Sequence, residues 1–369
     1  MRIERAVLRE LSMRLRQKFE ISSGVTDQRR VVLLTLQGEG LEGWGECVAG
    51  ETPAYAYETT DTAWHVLTEH ILPAVVGRDA ADPEDILTPA RWIRGHRMAK
   101  AAVEMAGWDL AARALGSSLA SVLGGSRDAV PVGVSVGLQE TDEALIEQVA
   151  EYVGEGYARV KVKIKPGRDV EMLRALRARF PELPVMADAN SAYTLADSAR
   201  LEELDGLELT MIEQPLGYDD FLHHARLQRV IETPICLDES VCSEGDLELA
   251  LELGSCRIVN IKPGRVGGLG VSRRIHDAMR ERGLPVWCGG MLESGVGRAH
   301  NVALASLPGF TLPGDISASR RYWEQDIVRP EFEVRSDGHM AVPTGPGIGV
   351  EVDLDRVKAL TVREAVVGG

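Results

Sequence analysis

The chain has 369 residues, with 41 Lys and Arg against 56 Asp and Glu, and a formal net charge of −15. That acidic balance excludes nucleic acid and an anionic membrane surface as partners, since both demand a basic face. Hydrophobic residues at 44% and charged residues at 26% exclude wholesale disorder, and the length calls for two domains, one of them large enough to be an α/β barrel.

The opening segment, MRIERAVLRELSMRLRQKF, is interrupted by charge every two or three residues, which is not the pattern of a secretion signal. Apolar runs such as Val31 to Leu34 fall far short of the roughly 20 residues a membrane span needs. The five cysteines, Cys47, Cys236, Cys242, Cys256 and Cys288, contain no C-x-x-C and sit mostly in apolar segments, so they read as reduced, buried thiols. The expectation is a soluble cytoplasmic protein.

Residues 1 to about 125 read as α+β. Alternating apolar segments near 3–11, 29–37 and 41–48 predict an antiparallel meander, the last two strands turned by Gly38-Glu39-Gly40. Helical periodicity follows over about 57–75 and 97–115; in the second, Met98, Ala101, Ala102, Met105, Trp108 and Ala112 share a face. Beyond about 130, short β-branched segments alternate with amphipathic helices, at 131–136, 159–164, 184–188, 208–213, 234–237, 257–261, 284–288 and about 310–313. Such alternation predicts parallel strands joined by right-handed crossovers, and about eight of them predict a closed barrel. Residues 320–369 lose the alternation and are expected to return to the N-terminal section.

Lys163, Asp188, Glu213, Asp238 and Lys262 follow one another at intervals of 25, 25, 25 and 24 residues. Each ends an apolar strand: RVKVKIK, PVMADAN, LTMIEQP, PICLDES and RIVNIKPG. Leucine-rich repeats have a similar period, but their L-x-x-L-x-L ladders are missing. In a barrel, side chains at strand C-termini converge on the mouth, so the five charges meet there. Three carboxylates gathered in a partly buried site cost several kcal/mol unless protons or a cation neutralise them. All-oxygen ligands favour a hard divalent ion, Mg²⁺ first with Mn²⁺ as a substitute, and no histidine ends a strand beside these acids, which argues against zinc.

Lys163 and Lys262 flank the acids, which places them on opposite sides of the pocket. A lysine normally titrates at about 10.4, but a neighbouring cation disfavours its charged form and makes it usable as a base near neutrality. Lys161, two residues before Lys163 on the same strand face, could supply that cation, and Arg265 could do the same for Lys262. Two bases facing each other across a metal suit abstraction of a proton α to a carboxylate. Return of a proton from the opposite side racemises; departure of a β-leaving group eliminates.

These motifs resemble those of the enolase superfamily, in its muconate-lactonising subgroup, and most closely the o-succinylbenzoate synthase / N-succinylamino acid racemase family. The resemblance runs through KVKIKPG (161–167), DANSAYTLAD (188–197), IEQPL (212–216), PICLDES (234–240), NIKPGRVGG (260–268), PVWCGGMLESGVGRAHNVALASLPGFTLPGD (285–315) and VPTGPGIGV (342–350). It implies an α/β fold: a (β/α)₇β modified TIM barrel over residues 126–319, under an α+β capping domain of residues 1–125 to which 320–369 return. It implies Mg²⁺ on Asp188, Glu213 and Asp238, Lys163 and Lys262 as the acid/base pair, and Lys161 on the substrate carboxylate. Asn190 and Glu239 would orient metal ligands, with Asn190 also reaching the substrate. Ser135, Arg265, Gly289, Gly290, Met291 and Glu293 would contribute substrate contacts. Two cap loops, about 17–28 with Phe19 and about 48–59 with Tyr55, would close the pocket. Ser23 stands where family members usually carry a second aromatic, which weakens the apolar lid.

The implied reactions are dehydration to o-succinylbenzoate in menaquinone synthesis, racemisation of N-succinyl or other N-acyl amino acids, or both, on a small carboxylate substrate. A homo-oligomer, up to an octamer, is also implied. Dipeptide epimerase or cycloisomerase activity is the rival within the fold. Epimerases usually carry a D-x-D at the end of the eighth strand, where PGDIS offers the single acid Asp315. A Schiff-base lyase would leave the three carboxylates without a task, and a non-enzymatic repeat scaffold would leave all five charges without one.

Overall fold

The structure, a computed structural model, describes every residue except Ser22 and Ser23 and the side chains of Glu20 and Ile21. The N-terminal part is a meander of three long strands, β1 (Arg5–Ile21), β2 (Gly24–Gly38) and β3 (Leu41–Cys47). One face packs on the helix Arg97–Ala114, which is buried along most of its length. β3 lies so close to it that a Cβ at Gly45 would overlap the Ala102 carbonyl, so glycine is required there. The helix expected over 57–75 starts at Thr60, where the Thr59 hydroxyl accepts from the Thr62 N–H, and is interrupted by a π-helical turn at Leu67–Ile71.

β1 and β2 run well past the predicted 3–11 and 29–37. The lid expected as a loop over about 17–28 is the far end of this hairpin, with Phe19 opposite Thr26. The apolar alternation continues only through Met13 and Leu15; beyond them Arg16, Gln17 and Lys18 are all exposed, which conceals the strand's far end. Ser23, the lid position that departs from the family pattern, lies outside the described residues.

Among the described residues, seven parallel strands make the barrel: β5 (Val134–Val136), β6 (Val160–Lys163), β7 (Val185–Asp188), β8 (Ile212–Glu213), β9 (Ile235–Leu237), β10 (Ile258–Ile261) and β11 (Val286–Cys288), hydrogen-bonded in that order. The strand predicted over 131–136 is two: β4 (Ala129–Pro131) leaves to pair with β13 (His339–Ala341). The eighth strand, expected at 310–313, is reduced to two isolated bridges, Val286 to Phe310 and Val132 to Gly314. Pro308 and Pro313 lack the N–H a ladder needs, which limits pairing there. Beyond the barrel, β12 (Val328–Arg329) pairs with β14 (Glu351–Val352), and β15 (Thr361–Gly368) joins the cap sheet antiparallel to β1.

Two buried glutamates fasten the cap over the mouth. Glu46 of β3 accepts from the Ser294 and Gly297 N–H groups at the start of the helix Gly295–Ala305, at 3.1 and 3.0 Å. Glu104 accepts from the Leu269 and Gly270 N–H groups at the start of the helix Leu269–Glu281, both at 2.8 Å. A carboxylate at a helix N-terminus meets unpaired donors and the positive end of the dipole. Burial nonetheless pushes both groups up to about 7. Among the described residues no helix is long and apolar enough to cross a membrane.

Candidate active site

The parallel register sets the charges side by side. Lys163 on β6 pairs with Asp188 on β7, and Asp188 with Glu213 on β8. Asp238 follows β9 directly and Lys262 follows β10. All five are buried, as is Lys161. Lys163 Nζ lies 2.6 Å from Asp188 Oδ2 and donates to Asn190 Oδ1 at 2.6 Å. Lys161 Nζ lies between three acids, 3.2 Å from Asp188 Oδ2, 3.0 Å from Glu213 Oε2 and 2.6 Å from Asp315 Oδ2, and 5.1 Å from the centre of the Trp287 ring. On the far flank, Lys262 Nζ is 2.7 Å from Asp238 Oδ2 and donates to the Tyr55 hydroxyl at 3.1 Å, which donates to Asp238 Oδ1 at 2.9 Å.

Burial works against every charge here, and the pairing decides who keeps one. Burial alone would raise Asp188 and Asp238, but Lys163 and Lys161 hold the first, and Lys262 and Arg265 the second, well below the usual carboxylate range. Burial together with the charges of Asp188 and Asp238 outweighs Lys161 at Glu213, which is pushed up to about 8. Glu239 rises to about 7 by the same causes. Burial would lower Lys161 and Lys262, but the acids around them hold both ammonium groups above the ordinary lysine value. The expectation that a neighbouring cation depresses Lys262 is therefore corrected: Asp238 is the nearer charge. Among the described residues no three His, Cys, Asp or Glu side chains form a ready-made ion cage. The ammonium of Lys161 and the Lys262–Arg265 pair occupy the oxygens that would face one another.

A cleft of about 900 Å³, counted out to its open mouth, lies between barrel and cap. Its wall brings together Lys161, Lys163, Ser135, Asn190 and Lys262 from the barrel with Phe19 and Tyr55 from the cap, and also includes Gly290 and Met291. Asp188, Glu213 and Asp238 lie behind that wall, at most 1% exposed. Asn190, with φ +42°, donates from its N–H to Asp188 Oδ1 at 3.0 Å and from Nδ2 to Glu239 Oε1 at 3.2 Å, which leaves Glu239 Oε2 without a partner among the described residues.

Three expected substrate contacts point elsewhere. Arg265 spends Nε on the Val241 carbonyl and its two terminal nitrogens on Asp238 and the Asn260 carbonyl. Glu293 accepts from the Met291 N–H and Asn301 Nδ2, both at 2.9 Å, and so shapes the loop from behind. Gly289 is not in the wall; a Cβ there would overlap Asn260 Oδ1, so the glycine lets the chain pass over β10. Sequence reasoning missed Asn260, whose Nδ2 donates to Glu213 Oε1 at 2.7 Å, although it stands two residues before Lys262 on the same strand face. It also missed the Arg159–Asp315 pair at 2.7 Å, which anchors Lys161, and Arg29 of β2 in the cap wall.

Comparison with known proteins agrees with this fold. Residues 3–124 match the N-terminal domain of the mandelate racemase / muconate lactonizing enzyme family, and residues 144–357 match the enolase C-terminal domain-like family. The chain belongs to the enolase superfamily. An o-succinylbenzoate synthase from Geobacillus stearothermophilus is 51% identical over 360 residues, 97% of this chain and 96% of that protein. An N-succinylamino acid racemase from Thermus thermophilus is 52% identical over 362 residues, 98% of each. A solved enolase-superfamily member from Listeria innocua superposes with a TM-score of 0.96 at 44% identity, covering 100% of this chain and 99% of that one. Within the superfamily, then, the chain falls among o-succinylbenzoate synthases and N-succinylamino acid racemases.

Proposed function

We propose that the protein moves a proton at the carbon α to a carboxylate of a succinylated substrate. It either dehydrates the cyclohexadiene precursor of o-succinylbenzoate, as in menaquinone synthesis, or racemises N-succinyl and other N-acyl amino acids, or does both. The observation that carries this reading is the placement of Lys163 and Lys262 in the wall of one cleft, on β6 and just after β10, with the carboxylates of the three intervening strand ends between them.

The donor set fits a magnesium ion: three buried carboxylates, all hard oxygen donors, of which Glu213 is pushed up to about 8 first by burial and then by the charges of Asp188 and Asp238. Asp188, Glu213 and Asp238 would hold Mg²⁺, with Mn²⁺ as a substitute. When bound, the ion supplies positive charge that polarises the substrate carboxylate and offsets the charge developing on it.

The chain's own groups do the rest. Lys161 holds the substrate carboxylate, and Asn190, hydrogen-bonded to Lys163 Nζ, fixes that amine. Lys163, once neutral, takes the α-proton at Nζ, leaving the substrate as an enediolate. Lys262 returns a proton to the other face, which inverts the centre; when a β-hydroxyl leaves instead, it takes the proton held by Lys163 and departs as water, and the product is the eliminated acid. Glu239 orients Asn190, while Ser135, Phe19, Tyr55, Gly290 and Met291 bound the acyl group and exclude water. Dipeptide epimerisation is disfavoured because the one acid at the eighth position, Asp315, is taken by Lys161 and Arg159.

We take residues 1–125 with 320–369 as the cap, 126–319 as the catalytic barrel, and a cytoplasmic homo-oligomer as the working form. Incubation with N-succinyl-L-phenylglycine, Mg²⁺ and D₂O tests the reading. Uptake of α-deuterium with loss of optical rotation is expected, and the absence of both would remove the racemase.

A further inference from the structure

Arg29 is a buried cation without an answer. It sits on β2 opposite Met13, is 5% exposed, and lines the cap side of the cleft. A guanidinium carries five N–H donors and cannot relieve its burial by losing a proton, so an unpaired one costs several kcal/mol. Among the described residues its only hydrogen bond runs from Nη2 to the Val48 carbonyl at a long 3.4 Å; Nε has no partner, and no carboxylate lies within ion-pair distance. Glu51 accepts from the Arg30 N–H at 3.2 Å, and the other nearby acids are engaged elsewhere. Glu46 accepts from Ser294 and Gly297, Glu293 from Met291 and Asn301, and Glu58, also in the wall, from the Met98 and Ala99 N–H groups at 2.8 and 3.0 Å. Burial pulls Arg29 below the usual arginine value despite the fields of Glu46, Glu51 and Glu293.

The other cations of the cleft wall, Lys161, Lys163 and Lys262, all belong to the barrel. Cations thus line both sides of the cleft, ion-paired on the barrel side and without an ion-pair partner on the cap side among the described residues, which suits a ligand with an anion at each end. Given the succinylated substrates proposed above, we infer that Arg29 is the receptor for the second carboxylate, the terminal one of the succinyl group. Its planar fork matches a carboxylate bidentately, which a lysine would not. Phe19 and Met291, in the same wall, offer apolar surface to the methylenes. On this account the substrate supplies the counter-ion that the folded chain lacks.

Equilibrium binding to the Mg²⁺-loaded protein, with N-succinylglycine and N-butyrylglycine as probes, separates this from catalysis. The two differ mainly in the terminal carboxylate. Wild type is expected to bind the succinyl probe at least tenfold more tightly, and Arg29→Met to bring the ratio of the two dissociation constants close to one. Arg29→Met, by removing an unpaired buried charge, is also expected to raise the melting temperature of the ligand-free protein. A wild-type ratio near one, a ratio that persists in Arg29→Met, or an Arg29→Met protein that melts lower or fails to fold while Arg29→Lys folds would each overturn the inference. Tight binding of the succinyl probe without α-deuterium exchange would instead overturn the proposed chemistry and leave the Arg29 site standing.

Discussion

At the barrel mouth each ammonium is met by a carboxylate: Lys163 by Asp188, Lys161 by Asp188, Glu213 and Asp315, Lys262 by Asp238. In the cap wall of the same cleft, Arg29 has no carboxylate within ion-pair distance among the described residues, and its Nε has no partner. The mouth is built on strand ends inside a hydrogen-bonded sheet, where position is fixed by register. The cap wall is built on a hairpin and a bend-rich segment. The contrast teaches how charge is handled: the lysines proposed to move a proton are held by opposite charges, while the arginine proposed to select the substrate has no counter-charge in the folded chain.

Breaking the mouth has the largest expected effect. Lys163→Ala and Lys262→Ala should each lower racemisation by roughly 10²–10⁴-fold, the usual worth of a general acid or base, with unchanged far-ultraviolet circular dichroism. Polarimetry checks this; if only Lys163 proved essential, a one-base elimination would replace the two-base scheme. Next, chelation of Mg²⁺ should lower the melting temperature as well as activity, by about 3 kcal/mol of stability when the ion had been present at 100 times its dissociation constant. In Asp188→Asn the Mg²⁺-dependent shift should shrink, and an unchanged shift would sever these acids from the ion.

The seam between the two regions can be probed by pH. His300, on the helix Gly295–Ala305, is fully buried and donates from Nε2 to the Trp44 carbonyl of β3 at 2.8 Å. Burial lowers it from 6.5 to about 4. Stability is therefore full above about 6.5 and is lost as pH falls toward 4, because the unfolded chain takes up the proton first. The loss amounts to at most about 3 kcal/mol, and denaturant titrations of His300→Gln should show a flatter acid limb than wild type. The smallest expected change is that of Tyr55→Phe, which removes the bridge from the cap to Asp238 and Lys262. A roughly tenfold fall in kcat is expected, the worth of one hydrogen bond to a charged group, with KM moving less. An unchanged kcat would make Tyr55 packing only.

Much of the mouth was legible because strand-end charges recur with the barrel's own unit, so Lys163, Asp188, Glu213, Asp238 and Lys262 identify one another. Cap residues have no such clock. Arg29 lies in DQRRVVLL, where it reads as one more solvated charge beside Arg30, and only the fold reveals that Arg30 pairs with Glu10 and Asp61 while Arg29 turns inward. The eighth strand was illegible as a non-strand because apolar Phe310, Thr311 and Leu312 satisfy a β pattern that the flanking prolines then deny. Arg265 misled because a cation beside Lys262 looks available until its three hydrogen-bond partners are seen.

The cap sheet seats the two ends of the polypeptide next to each other, Arg5 opposite Gly368 and Leu8 opposite Ala365. β15 follows all the barrel strands in the sequence, so the outer edge of β1 stays unpaired until those strands have been made. The cap sheet is therefore begun before the barrel and completed after it. Pairings of such long sequence separation form slowly. The last strand to join thus locks a sheet that the first strand began.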